Sequence, residues 1–211
     1  MFMKRKNLYI TGDSFCFYRQ DINNHWPAKL AQMLDLTLQG HGYPGCGWWP
    51  SRVDLFKYAQ TKQFKKTDIF VICHTDIYRS LTGNPGWAQG YNQDLNDFYI
   101  KYLSDYDFNT WCSINWYKEL NQLLKDKTVV HLHCFTSNQD ERSYLEGIHI
   151  STELVQLSKF SQNNELSKMN HSCNHFTDNG NFVFAEMVYN SILQKSDQVN
   201  EHAFDQAVYY R

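Results

Sequence analysis

Two stretches of the sequence are apolar at consecutive positions rather than at alternate ones. They are Thr67-Asp68-Ile69-Phe70-Val71-Ile72-Cys73 and Thr128-Val129-Val130-His131-Leu132-His133-Cys134. A strand covered on one face alternates, whereas a short continuous run with polar flanks marks a strand buried on both faces, as in a parallel sheet between helices. Asn7–Thr11, closed by Gly12, and Leu36-Thr37-Leu38 read as two further short strands. Helical periodicity fills the gaps. Asn24 or His25 is a candidate cap, Pro27 fits a first turn, and Leu30, Ala31 and Leu34 follow to an end near Asp35. Thr110–Lys125 puts Trp111, Ile114, Tyr117, Leu120 and Leu124 on one face. Asn179–Leu193 does the same with Phe182, Ala185, Val188 and Ile192, and Leu95–Leu103 and Ser151–Phe160 are further expected helices. Thr82–Gln93, rich in Gly, Asn and Trp, reads as a surface insertion, and Gly40–Gly47 as a glycine-rich loop.

Strands alternating with helices along the whole chain imply an α/β protein, a three-layer α/β/α sandwich around a parallel, flavodoxin-like sheet. One domain is expected over residues 1–195, with 196–211 as a C-terminal tail holding a short helix. The composition agrees, since 42% hydrophobic residues in 211 support a core. The formal charge of −2 excludes a globally basic nucleic-acid binder. No apolar run approaches the ~20 residues of a membrane helix. The basic start, Met1 to Asn7, is followed only by Leu8-Tyr9-Ile10, too short for a signal-peptide core, so the expected location is cytoplasmic.

The six cysteines read as buried thiols in a reducing compartment. His131 and His133 would share one face of a strand, and His171-Ser172-Cys173-Asn174-His175 is also rich in ligand-type side chains. No Cys pair has the short spacing that structural zinc prefers, so no metal and no other cofactor is expected.

In parallel sheets the reacting groups come from loops at the carboxyl ends of strands. The first such loop holds Gly12-Asp13-Ser14-Phe15. A serine there can present its hydroxyl at the sheet edge, and it needs a base to act as a nucleophile. Further along come Gly42-Tyr43-Pro44-Gly45, Val71-Ile72-Cys73-His74-Thr75-Asp76 and Asn174-His175-Phe176-Thr177-Asp178-Asn179-Gly180. In order and spacing, from Leu8 to about Leu193, these segments resemble the SGNH (GDSL-like) hydrolase superfamily. The altered motifs and the Asn- and aromatic-rich composition are similar in style to virus- or phage-encoded members.

The resemblance implies that Ser14 is the nucleophile and His175 its base. It implies an oxyanion hole from the backbone N–H groups of Ser14 and Gly45 plus a donor in the third loop. Two departures stand out. Thr75 occupies the place of the family's asparagine and offers only a hydroxyl, with His74 as rival donor. Ser172 stands where the family keeps the aspartate that orients the histidine, while Asp178 is read as capping the last helix. Trp48 and Arg79 are the expected substrate-binding residues. The implied activity is hydrolysis of an ester, an O-acyl group of a carbohydrate or lipid, with a small-molecule or glycan ester as partner and no nucleic acid. The rival reading is a module that keeps the fold for binding or for a structural role in a virion without turnover.

Overall fold

The computed structural model describes residues 6–18, 25–44, 46–61, 64–76, 106–135, 142–154, 157 and 176–200. Five strands form the sheet: β1 Asn7–Gly12, β2 Thr37–Gly42, β3 Ile69–His74, β4 Thr128–His133 and β5 Ile148–Ile150. Their order is β2-β1-β3-β4-β5, and every neighbouring pair is parallel. That is the flavodoxin-like order, whose switch point lies between β1 and β3. The helices are α1 Trp26–Met33, α2 Trp49–Thr61, α3 Tyr106–Leu123 and α4 Asp178–Gln194. Among the described residues no helix is long and apolar enough to cross a membrane.

Strand residues alternate between two cores, because successive side chains leave opposite faces of the sheet. Leu8, Ile10, Val71, Cys73, Val130, Leu132, Ile148 and Ile150 pack with Trp26 and Leu30 of α1 and Phe184, Ala185 and Val188 of α4. Tyr9, Phe70, Ile72 and Val129 pack with Leu55 of α2 and Trp116, Tyr117 and Leu120 of α3. The continuous apolar runs of β3 and β4 are therefore covered on both sides, as their sequences require.

The structure corrects several expectations. The glycine-rich loop begins later than read, since Gly40, His41 and Gly42 complete β2. Trp111 of α3 and Phe182 of α4 point outward, 63% and 49% exposed; Trp116 and Phe184 take the inner positions. Thr177 caps α4, accepting the Gly180 N–H at 3.1 Å, and Asp178 is the first helical residue. Helix α2 and strand β5 are additions that the sequence pattern does not announce. The segments 82–93 and 95–103, and residues 155, 156 and 158–160 of the expected helix 151–160, lie outside the described residues. Beyond α4, the Ser151 N–H donates to Asp197 Oδ2 at 2.8 Å, which ties residue 197 to the end of β5; of the expected tail, 201–211 lie outside the described residues.

Candidate active site

The site begins with a backbone constraint at the end of β1. Gly12 has φ +135°, and a Cβ there would sit 2.0 Å from the Cys73 carbonyl oxygen. Only glycine accommodates both conditions. The bare backbone lets the Asp13 N–H reach that same carbonyl at 3.0 Å, so the loop after β1 is clamped onto β3. Gly42 lets β2 approach from the other side, since a Cβ would lie 2.3 Å from the Asp13 carbonyl oxygen. The Tyr43 N–H then donates to the Gly12 carbonyl at 2.8 Å.

Ser14–Cys16 follows as a single 3-10 turn, closed by the Phe17 N–H on the Ser14 carbonyl at 2.9 Å. Asp13 caps it. Its Oδ1 accepts the Ser14 N–H and the Ser14 hydroxyl, each at 2.6 Å. Its Oδ2 accepts the Thr75 hydroxyl at 2.6 Å. All three residues are buried, with Asp13 only 1% exposed. The structure thus links Ser14 and Thr75 through a carboxylate to which the sequence assigns no role. Two of the three groups expected to face an oxyanion, the Ser14 N–H and the Thr75 hydroxyl, are donated to Asp13. The third, Gly45, and also His175, Ser172 and Arg79, lie outside the described residues.

The chain on the far side of the expected base is nonetheless anchored beside Ser14. Phe176 packs its ring edge-on to Phe15, with centroids 5.9 Å apart. Trp26 donates its indole N–H to the Phe15 carbonyl at 2.7 Å, and its backbone N–H to Asn181 Oδ1 at 2.8 Å. Asn181 in turn donates its amide to the Thr177 carbonyl at 3.0 Å. So the first turn of α4 supplies the cap that His25, with no side-chain cap bond, does not give to α1.

Trp48 stacks on Trp116 at 5.9 Å within the second core, whereas Trp49 is the more exposed of the pair and lies against the Arg52 guanidinium. His74, the rival donor, is tied up elsewhere: its Nε2 lies 2.9 Å from His131 Nδ1. Four histidines gather on the α2/α3 face, from β3, β4 and β5. His131 Nε2 lies 3.1 Å from the Glu146 carbonyl, His133 Nε2 3.4 Å from His149 Nδ1, and His149 Nε2 3.2 Å from the Leu145 carbonyl. A carbonyl can only accept, so both Nε2 atoms facing carbonyls carry protons; with each ring neutral, both Nδ1 atoms then accept. These bonds can all be made with the four rings neutral.

Burial holds all four pKa values down. Neighbouring histidines add to this for His74, His131 and His133, and the Arg142 charge does so for His74, His133 and His149. His131 is lowered to about 3 and His133 to about 2. No set of three or more metal-type ligands converges among the described residues. The period-two spacing showed that His131 and His133 share a face, but His74 and His149 join them only through the strand register. Among the described residues, Cys16, Cys46, Cys73, Cys112 and Cys134 form no disulfide.

No protein-family model and no curated protein sequence matches the chain. Two solved structures are similar to it. One is a carbohydrate esterase whose active site displays divergent catalytic and non-catalytic binding functions. It is 14% identical, over 92% of this chain and 70% of its own, with a TM-score of 0.46. The other is a G-D-S-L family protein from Desulfitobacterium hafniense DCB-2. It is 15% identical, over 88% of this chain and 98% of its own, with a TM-score of 0.39.

Proposed function

We propose that the chain is a serine esterase acting on an O-acyl group of a carbohydrate or lipid, with Ser14 as nucleophile and His175 as general base. One observation carries this reading: the ring contact between Phe15 and Phe176, the chain neighbours of the two residues. A contact between Phe15 and Phe176 supports a reading in which Ser14 and His175, the residue before each, act together. Ser14 also follows β1 at the carboxyl edge of the sheet, beside the switch point where ligands of such sheets bind.

In this mechanism the Ser14 hydroxyl turns its proton from Asp13 Oδ1 to His175, which takes it as Oγ attacks the ester carbonyl carbon. The carbonyl π pair moves to oxygen. When it returns, the bond to the alcohol oxygen breaks, and His175 gives its proton to that oxygen. Water repeats the sequence on the acyl-Ser14, releasing the acid. Nothing in these steps calls for a metal or an organic cofactor.

Labelling with a fluorophosphonate and hydrolysis of short p-nitrophenyl esters test the reading. Both are expected in the wild type and absent from Ser14→Ala. Ser172→Asp, which restores an acceptor three residues before His175, is expected to raise the rate at neutral pH. The engagement of Ser14 and Thr75 by Asp13 favours a second reading, a binding or structural module without turnover. Failure of the wild type to label at Ser14 selects it.

A further inference from the structure

Resting on the nucleophile reading above, we infer that Asp13 and Thr75 are a positioning pair: Asp13 holds the Ser14 hydroxyl, and Thr75 acts on the reaction through Asp13 rather than by touching the substrate's oxyanion.

The geometry supplies the argument. A threonine hydroxyl has one proton to donate, and here it goes to Asp13 Oδ2 at 2.6 Å. A carboxylate is a stronger acceptor than an ester carbonyl, because bonds to ionised groups are shorter and about twice as strong. In this structure the Thr75 proton is therefore engaged by Asp13 and is not presented to a substrate oxygen. The other carboxylate oxygen takes both donors of Ser14, its N–H and its hydroxyl, at 2.6 Å each. Two bonds to one acceptor fix the serine rotamer. The Thr75 bond on the far oxygen fixes the plane of the carboxylate that does the fixing.

The arrangement is built rather than incidental. Asp13 is 1% exposed, Thr75 7% and Ser14 7%. Thr75 is held by the end of β3, where the Cys134 N–H donates to the His74 carbonyl at 3.0 Å. Asp13 is held by its own N–H on the Cys73 carbonyl at 3.0 Å. The two partners therefore hang from adjacent residues of one strand, and their separation does not depend on loop conformation. A hydroxyl in place of the family's amide thereby acquires a use that the sequence comparison alone treats as a loss.

A double-mutant cycle on ester hydrolysis tests the pair. Thr75→Val is expected to lower kcat about 10- to 100-fold, the scale of one hydrogen bond to a charged group, with KM little changed. Thr75→Ser, which keeps the hydroxyl, is expected to restore most of the rate. In an Asp13→Ala background, Thr75→Val is expected to cost less than about 3-fold more, because its route to Ser14 is already gone. If Asp13→Ala does not fold, Asp13→Asn serves: the cost of Thr75→Val should still be smaller there than in the wild type.

Equal costs of Thr75→Val in both backgrounds would show an independent, oxyanion-facing hydroxyl and overturn the inference while leaving Ser14 as nucleophile. A wild type that neither hydrolyses esters nor labels at Ser14 overturns the nucleophile reading itself, and this role with it.

Discussion

His74 Nε2 on β3 lies 2.9 Å from His131 Nδ1 on β4, a diagonal contact, since the register sets His74 opposite His133 and Ile72 opposite His131. The diagonal matters because it links the end of β3, and with it Thr75, to the loop before β5 through the His131 bond to the Glu146 carbonyl. The rings are stacked as well as bonded: His74 lies 5.3 Å from His133 and 5.1 Å from His131, centroid to centroid. A neutral, buried group of this kind has consequences for stability in acid.

The first prediction is that stability falls as pH drops below about 6.5, the ordinary histidine value. In the unfolded chain these histidines take up protons there. In the folded protein His131 does so only near 3 and His133 near 2, with His74 also held well below its usual value. Between those limits the unfolded state binds more protons, so the stability present above the unfolded pKa is lost as pH falls. Each fully buried histidine contributes a slope of about 1.4 kcal/mol per pH unit in that window. Urea midpoints at pH 7.5, 6.0 and 4.5 should decline steadily, and His133→Phe should flatten the decline. A flat profile in the wild type would contradict the neutral assignment.

A second prediction concerns Gly12. Gly12→Ala combines a positive φ with a Cβ 2.0 Å from the Cys73 carbonyl oxygen. The expected loss is at least about 2 kcal/mol in urea unfolding, because both strain and the clash with backbone must be relieved. Relief moves Asp13 off its Cys73 anchor, so Ser14 labelling should fall further than the stability loss explains. Wild-type stability in Gly12→Ala would mean that β1 and β3 are not clamped as described.

A third prediction follows from the face that α3 turns inward. Trp116→Ala should cost about 3–5 kcal/mol, the range for a large buried aromatic. Trp111→Ala should stay within about 0.5 kcal/mol, as its ring is mostly in solvent. Thermal unfolding of the two variants decides it. The reverse order would restore the stripe expected from sequence.

That stripe shows where sequence reasoning stops. β1, β3 and β4 are legible because strands buried on both faces carry their signal in consecutive residues. In α3, aromatic residues occur on several sides, and spacing alone does not choose between Trp111 and Trp116. The inner face runs through Ser113, whose small side chain gives no hydrophobic signal. The same holds in α4 for Phe182 and Phe184. Helix α2 escapes notice because it buries only Ser51 and Leu55, and β5 because it has three residues. The place of Ser14 after β1 is legible from a short motif, whereas the contacts of its neighbour Asp13 are not. Whether Asp13 faces solvent, a helix end or Thr75 depends on a contact across 62 positions. The histidine group is half legible for the same reason.

The last prediction joins the two helices beside Ser14. Asn181 is 1% exposed, and its side chain bonds in both directions, accepting the Trp26 N–H and donating to the Phe176 and Thr177 carbonyls. Asn181→Ala leaves the Trp26 N–H buried without that acceptor, a cost of about 1–3 kcal/mol. Asn181→Asp keeps the acceptor but sets a buried carboxylate oxygen against the Phe176 and Thr177 carbonyls, so it should lose the hold on Phe176 without recovering stability. If His175 serves Ser14, that hold matters to the reaction, since Phe176 is its neighbour and packs on Phe15. Asn181→Asp is therefore expected to unfold no higher than Asn181→Ala does, and both are expected to label at Ser14 more slowly than the wild type. Thermal unfolding and the fluorophosphonate rate, measured on the same samples, separate the two effects. Wild-type labelling by both variants would show that the link between α1 and α4 serves stability alone.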